Sequence, residues 1–170
     1  MNQFEQISFK ILAPADVTPR YVSWLHDPQV IRYSDNQYRH FSLESQKKYV
    51  QSCIDSPDMM LWGVFFGDIH IGNVVLDNID FNHLRSEVTY LLGDQNYWRR
   101  GIATHAVKHV IAYTQFVLGL KKLYAGVAEQ NIASIKVLQK CGFTEEARRE
   151  AHLSYNKTRM AQIDFKLILS

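Results

Sequence analysis

Between positions 91 and 104 the chain reads Leu91-Leu92-Gly93-Asp94-Gln95-Asn96-Tyr97-Trp98-Arg99-Arg100-Gly101-Ile102-Ala103-Thr104. An apolar run stops, a short polar loop turns, and a helical pattern starts at a glycine preceded by two arginines. The first turn of a helix carries backbone N–H groups with no partner in the helix and a partial positive charge, which together suit a phosphate. Gly101 would let a phosphate approach the backbone closely. Arg99 and Arg100 would add charge, and Thr104 a hydroxyl. Taken alone, the stretch reads equally as an ordinary helix start with two solvated arginines, because a single glycine motif of this kind is weakly specific. A second stretch, Asn131-Ile132-Ala133-Ser134, opens a later helix that ends in Lys140-Cys141-Gly142-Phe143. On its own Asn131 is an N-cap.

These residues need elements to hold them. Ile7 to Ile11 alternates apolar and polar as a half-buried strand does. Thr18-Pro19 has the form of an N-cap and first helical residue, with Tyr21, Trp24 and Leu25 on one face, and a second helix starts at Ser42 and runs through Tyr49, Val50, Cys53 and Ile54. The aromatic residues Tyr21, Trp24 and Tyr49 at helical spacing read as core packing. Leu61 to Phe66 and Ile69 to Leu76, joined by Gly67-Asp68, predict an antiparallel hairpin. A polar loop from Asp77 to His83 leads to a strand over Glu87 to Leu92. Ile102, Ala106, Val107, Val110, Ile111 and Val117 keep helical spacing, with Gly119 as C-terminal cap. A strand through Leu123, Ala125 and Val127 follows, then the short helix of Ile132, Ile135 and Leu138. Two strands close the chain in a hairpin with Asn156-Lys157 at its tip. This order fits neither regular βα alternation nor a strands-only fold, and predicts a mixed α/β sheet, antiparallel early with a parallel crossover in the middle.

The bulk properties agree with one enzyme-sized domain over residues 1–170. A hydrophobic content of 46% is that of a soluble globular protein. A net charge of +2 is too weak to argue for nucleic acid. Cys53 and Cys141 are far apart and form no CxxC pair, so reduced thiols in a cytoplasmic protein are expected. Met1 to Gln6 has no basic or apolar run of a signal peptide, and no stretch reaches the about 20 apolar residues of a membrane span. His105 and His109, four apart on a helix, lack the glutamate of HExxH and a third ligand, so they are expected on a solvated face and no metal is expected. No GxGxxG follows the first strand, which leaves a dinucleotide-binding oxidoreductase without support.

Taken together, the two stretches resemble the GNAT superfamily of acetyltransferases. Trp98-Arg99-Arg100-Gly101-Ile102-Ala103 matches that family's pyrophosphate loop, with Trp98 where many members have Gln or Arg. That departure resembles the branch of N-acetyltransferases related to those modifying ribosomal-protein N-termini. Asn131, Ser134 and Lys140-Cys141-Gly142-Phe143 resemble the same branch, as do Trp24-Leu25-His26-Asp27-Pro28 and Ile71-Gly72-Asn73. The likeness runs in register over nearly the whole chain.

The resemblance implies a GNAT-like mixed, mostly antiparallel sheet with flanking helices, whose central parallel strands splay apart to admit acetyl-CoA. The cofactor's pantetheine arm would pair with backbone near Leu91 and Gly93. Trp98, Arg99, Arg100, Gly101, Ile102, Ala103 and Thr104 would hold its phosphates, and Asn131 and Ser134 would face its arms. The amine then attacks the thioester directly, with neither metal nor acyl-enzyme. A primary amine resembling lysine has a pKa near 10.4, so a base must take its proton. Backbone N–H from Leu91 or a neighbour would steady the oxyanion. Glu87 reads either as that base, by its resemblance to an acidic residue before the splayed strand, or as a charge on an exposed strand face. Many relatives place a general-acid tyrosine four residues after the serine; this chain has Leu138 there, so Tyr90, Tyr155 or water takes the role.

Arg32, Tyr33, Asp35 and Tyr38 fall in a loop that lines the acceptor pocket in many relatives, and read otherwise as plain surface. Arg148, Arg149 and His152 suit a phosphorylated acceptor, since arginine pairs with phosphate through two donors; they read equally as a solvated basic edge strand. The acceptor expected is therefore a small amine-bearing metabolite such as an amino-sugar nucleotide. The alternatives are a protein N-terminal amine and a non-catalytic acyl-CoA-binding module. Neither nucleic acid nor membrane is expected as a partner, and a homodimer is compatible with the chain.

Overall fold

The structure, a computed structural model, describes residues 3–170; Met1 and Asn2, where the stretch read as no signal peptide begins, lie outside the described residues. Eleven regular elements order the described residues: β1 (Ile7–Ile11), α1 (Pro19–Trp24), α2 (Leu43–Asp55), β2 (Met60–Phe66), β3 (Ile69–Asp80), β4 (Arg85–Leu92), α3 (Ile102–Phe116), β5 (Lys122–Ala128), α4 (Ile132–Lys140), β6 (Thr144–Tyr155) and β7 (Thr158–Ile168). They form a seven-stranded sheet in the order β1-β2-β3-β4-β5-β7-β6. Every neighbouring pair is antiparallel except β4 and β5. The expected mixed α/β sheet with a parallel crossover through α3 is what the chain forms.

Local chemistry sets most boundaries. Thr18 caps α1, its hydroxyl accepting from the Tyr21 N–H at 3.3 Å, and Pro19 occupies the first position where no N–H is needed. Ser42 and Ser45 cap α2 reciprocally. The β2–β3 hairpin turns at Gly67-Asp68 as expected. At the β6–β7 tip, Asn156 and Lys157 both have positive φ, 50° and 63°, as a two-residue hairpin turn requires. The loop expected from Asp77 is different: β3 continues to Asp80 through a bulge between Asp77 and Asp80, with Asn78 at φ 52°. Polar side chains concealed that strand because it is an irregular end, with one face open to solvent.

Helices cover the sheet on both faces. Ile102 and Val107 of α3 and Leu138 of α4 pack with Ile71, Val74, Leu76, Val88, Leu123 and Phe165 of the sheet. Under α1 and α2 lie Leu12, Tyr21, Trp24, Val50, Cys53 and Leu61. Leu138 is fully buried, and its truncation to alanine should cost about 2–5 kcal/mol. Tyr49 departs from the core expected of it and is 39% exposed. His105 and His109 also depart from their expected solvated face. His105 stacks on Phe4 at 4.9 Å and His109 on Phe9 at 4.1 Å, because β1 and the turn before it run along that side of α3.

Beyond the β5 end of the sheet, one face of β5, β6 and β7 carries no helix among the described residues, and a cavity opens there.

Candidate active site

β4 and β5 pair over only three positions: Arg85 with Lys122, Ser86 with Leu123, and Glu87 with Tyr124. Past that point each strand keeps its antiparallel neighbour on the far side and loses its parallel one, so the sheet splits. The cleft has Val88–Leu92 on one wall and Ala125–Ala128 on the other, with Glu87 at its apex.

Strand alternation sends the side chains of β4 to opposite faces. Tyr90 points towards α3 and α4. Its hydroxyl meets the Ser134 Oγ at 2.6 Å and donates to the Ser134 carbonyl at 3.2 Å, spanning the cleft. Burial pushes the Tyr90 pKa up, so the phenol keeps its proton. Glu87 points to the other, open face. Tyr90 and Glu87 thus flank the same cleft from opposite sides.

The Leu91 and Gly93 amides, expected to face the cofactor, are turned the other way. The Gly93 N–H donates to the Ile71 carbonyl on β3 at 2.9 Å, and Leu91 lies opposite Asn73 two residues along the same ladder. Antiparallel pairing alternates direction at each residue, so Leu91 shares the Gly93 orientation towards β3. The amides of Tyr90 and Leu92 therefore face the cleft. A one-residue shift in register decides this, and the sequence alone does not fix it.

At the open end of the cleft α3 begins. Gly101 is its N-cap with φ 77°, and Arg99 is also left-handed at φ 61°. Such alternation of backbone handedness gathers successive N–H groups into an anion-binding concavity. Gly101 offers no side-chain cap, and the helical ladder opens with the bond from His105 N–H to the Gly101 carbonyl at 3.0 Å, so the amides of Ile102, Ala103 and Thr104 precede it. The Arg100 guanidinium lies 5.3 Å from the centre of the Tyr97 ring. Trp98 closes the loop on β4: its indole N–H donates to the Leu92 carbonyl at 2.7 Å. Asn131 caps α4 by accepting from the Ser134 N–H at 3.2 Å, which also brings Ser134 under Tyr90. Uncapped amides at the start of α3, the arginines of the preceding loop and the cleft-facing backbone of β4 are a donor set whose chemistry suits phosphates and an amide-bearing arm.

On the open face Glu87 borders a cavity of about 420 Å³ with Tyr124, Arg149, His152, Gln162 and Asp164. Most cations here are already held by acids. Arg149 Nε donates to Asp164 at 2.6 Å, Lys122 to Glu146 at 2.8 Å, and Arg85 lies 3.5 Å from Asp80. Arg148 pairs with Glu129 and Glu150, neither of them bordering the cavity. Glu87 has the Asn78 amide at 3.4 Å and no ion pair within 4 Å among the described residues. Burial first, and then the Asp77 carboxylate, raise its pKa above the ordinary glutamate value.

The loop after α1 crosses the open end of the cleft to the β6–β7 hairpin. The Tyr38 hydroxyl donates to the Ser154 carbonyl, and the Tyr155 hydroxyl to Asp35 at 3.1 Å. Tyr33 packs on the cluster of Ala128, Tyr155 and Met160, while Arg32 is exposed above the Tyr33 ring at 5.3 Å. Tyr155 is thereby committed to the far wall, whereas Tyr90 lies on β4 itself. Sequence reading missed Tyr124, Gln162 and Asp164. The polar alternation of β7 held the signal for the last two, since it puts both on the face opposite the core.

Comparison with known proteins agrees with this geometry. A family model described as an acetyltransferase (GNAT) domain matches residues 8–144. The chain is 33% identical over 143 residues to a protein of Bacillus licheniformis named uncharacterized N-acetyltransferase p20, covering 79% of this chain and 76% of that one. It is 28% identical over 125 residues to spermidine N(1)-acetyltransferase of Escherichia coli, covering 72% of this chain and 60% of that one. Two solved structures share the fold. Ribosomal-protein-S5-alanine acetyltransferase from Vibrio fischeri has a TM-score of 0.86 at 23% identity, over 97% of this chain and 94% of its own. Spermidine N-acetyltransferase from Vibrio cholerae, in complex with CoA and spermine, has a TM-score of 0.85 at 18% identity, over 96% of each chain.

Proposed function

The chain belongs to the GNAT acetyltransferase family, as an acetyl-CoA-dependent N-acetyltransferase, and from that premise we propose that it acetylates a small cationic amine reaching Glu87 from the open face of the sheet. The observation that carries this reading is the cleft itself. One face has the uncapped start of α3 and the Tyr90–Ser134 pair, and the other has an unpaired carboxylate in a cavity of metabolite size. One domain over residues 1–170 supplies both sides.

In this reading the thioester lies in the cleft beside β4. The amine nitrogen, freed of a proton taken by Glu87 directly or through water, forms the new C–N bond at the thioester carbonyl. Cleft-facing amides of Tyr90 and Leu92 stabilise the oxyanion. The C–S bond then breaks, and the departing thiolate takes a proton from the Tyr90 hydroxyl, which recovers one through water from the acetylated nitrogen. Arg99, Arg100 and the amides of Gly101 to Thr104 hold the phosphates, with Asn131 and Ser134 beside the pantetheine arm.

Two acceptor classes follow from different observations. Glu87 and Asp77 leave local negative charge while the neighbouring cations are paired, which favours a polyamine, the substrate type named for two of the relatives. Arg149 and His152 border the same cavity and favour an amino-sugar nucleotide, the acceptor expected from the sequence. The Arg149–Asp164 pair tips the balance to the polyamine, because a phosphate would first have to displace that carboxylate. Thiol-release assays with acetyl-CoA should give the highest kcat/KM for spermidine over an amino-sugar nucleotide and a peptide N-terminus. A preference for the sugar nucleotide that is lost in Arg149→Ala would reverse the choice.

A further inference from the structure

Arg20, Trp24 and Asp27 are spaced by four and three residues, which brings them to one side of α1 and the turn that continues it. Each meets one member of the segment Gly93-Asp94-Gln95, which leads from β4 into the phosphate-holding loop. The Arg20 guanidinium donates to the Asp94 carboxylate, which is 6% exposed and also accepts from the Asn96 N–H at 3.0 Å. Trp24 packs directly on Gly93; a Cβ at that position would lie 2.0 Å from an indole carbon. Asp27 accepts from the Gln95 amide through Oδ2 at 2.7 Å, while its Oδ1 accepts from the Gln29 N–H at 2.9 Å.

We propose that Arg20, Trp24 and Asp27 form a clamp that positions the phosphate-holding loop before the cofactor arrives. The proposal rests on the reading of residues 98–104 as that loop. The physical consequence is pre-organisation. Fixing Gly93 to Gln95 in the free protein removes ordering entropy that binding would otherwise have to overcome, so the clamp acts on cofactor affinity and not on the chemical step. None of the three touches the cleft, which makes them positioning residues. Asp27 also ties the clamp to the acceptor side, since Gln29 begins the loop that carries Arg32 and Tyr33.

A charge exchange across the Asp27–Gln95 contact tests this in the full chain. Gln95→Glu sets two carboxylates face to face and should raise the Kd for CoA about tenfold while kcat stays within about twofold. Adding Asp27→Asn restores a donor to that contact and should bring the Kd back to within about twofold of the parent. A merely structural contact would lower the melting temperature without this split and rescue. An unchanged Kd in Gln95→Glu, or a double variant no better than the single one, overturns the clamp. Gly101→Val is measured alongside: if it binds CoA like the parent, the loop reading fails and the proposal with it. If it loses CoA while Gln95→Glu does not, the clamp alone is overturned.

Discussion

Glu87 is a half-buried carboxylate whose surroundings disfavour its charge, the condition the proposed base role would use. Burial and the Asp77 carboxylate raise its pKa above the ordinary value of 4.5, and the Asn78 amide at 3.4 Å opposes them weakly. For activity the consequence is an acidic limb of kcat/KM displaced upward from the usual carboxylate range, since the base must be ionised. For stability the sign is opposite to that of a salt-bridged acid. Between the ordinary and the raised pKa the folded state holds more protons than the unfolded one, so stability falls as pH rises through that window. Glu87→Gln should therefore lower kcat/KM by about 10²–10⁴ and remove the acidic limb, with a melting temperature at pH 8 no lower than the parent's. A stopped pH-rate series and a thermal scan on the same preparation check both halves. Retained rate with an unmoved limb would return Glu87 to the role of a surface charge.

At the scale of elements, the start of α3 carries the cofactor reading, and its weak point is backbone conformation more than space. A Cβ at Gly101 would meet only the Phe4 ring, at an ordinary 3.5 Å. The φ of 77° is what a β-branched residue resists, at about 1–3 kcal/mol of strain. Gly101→Val should release that strain by moving the loop out of its concave form, weakening CoA binding at least about tenfold by calorimetry, while the fold stays cooperative. Affinity near that of the parent would exclude this loop as the phosphate site. The element itself was legible in the sequence, because Gly101 followed by the Ile102, Ala106 and Val110 spacing marks a helix start without tertiary help. Caps at Thr18 and Ser42 and the Gly67-Asp68 turn were legible for the same reason: each is decided by residues within one turn. The cleft-facing amides were not. Whether Leu91 or its neighbours face β5 depends on the β3–β4 register, which Asn73 and Gly72 set from another strand. The end of β3 was hidden likewise, since Asp77 to Asp80 has the composition of a loop and becomes strand only by pairing across a bulge.

Across the whole molecule three histidines tie the helical layers to the sheet, and burial lowers the pKa of all three. His70 stacks on Phe65 at 4.8 Å and meets Trp24 edge-on at 5.0 Å. Its Nε2 lies 3.0 Å from the Gly72 carbonyl, which can only accept, so that nitrogen carries the proton. The Nδ1 atom is buried with no partner among the described residues, and a second proton there would be an unpaired donor among rings. Burial is the first cause that lowers the His70, His105 and His109 pKa values below 6.5. The unfolded chain takes up these protons as pH falls through 6.5, and the folded chain does so only at lower pH. Stability is therefore complete above pH 6.5 and declines on acidification, opposite in direction to the Glu87 contribution. The spacing of His105 and His109 suggested a solvated face because their ring partners, Phe4 and Phe9, come from the far end of the chain. His109→Phe keeps a ring against Phe9 and removes one titrating group. The parent's melting temperature should drop between pH 7.5 and pH 5.5, and the drop should be smaller in His109→Phe. Equal drops in the two proteins would show that His109 takes its proton as readily folded as unfolded, against the burial that stacks it on Phe9 with Trp62 edge-on beside it.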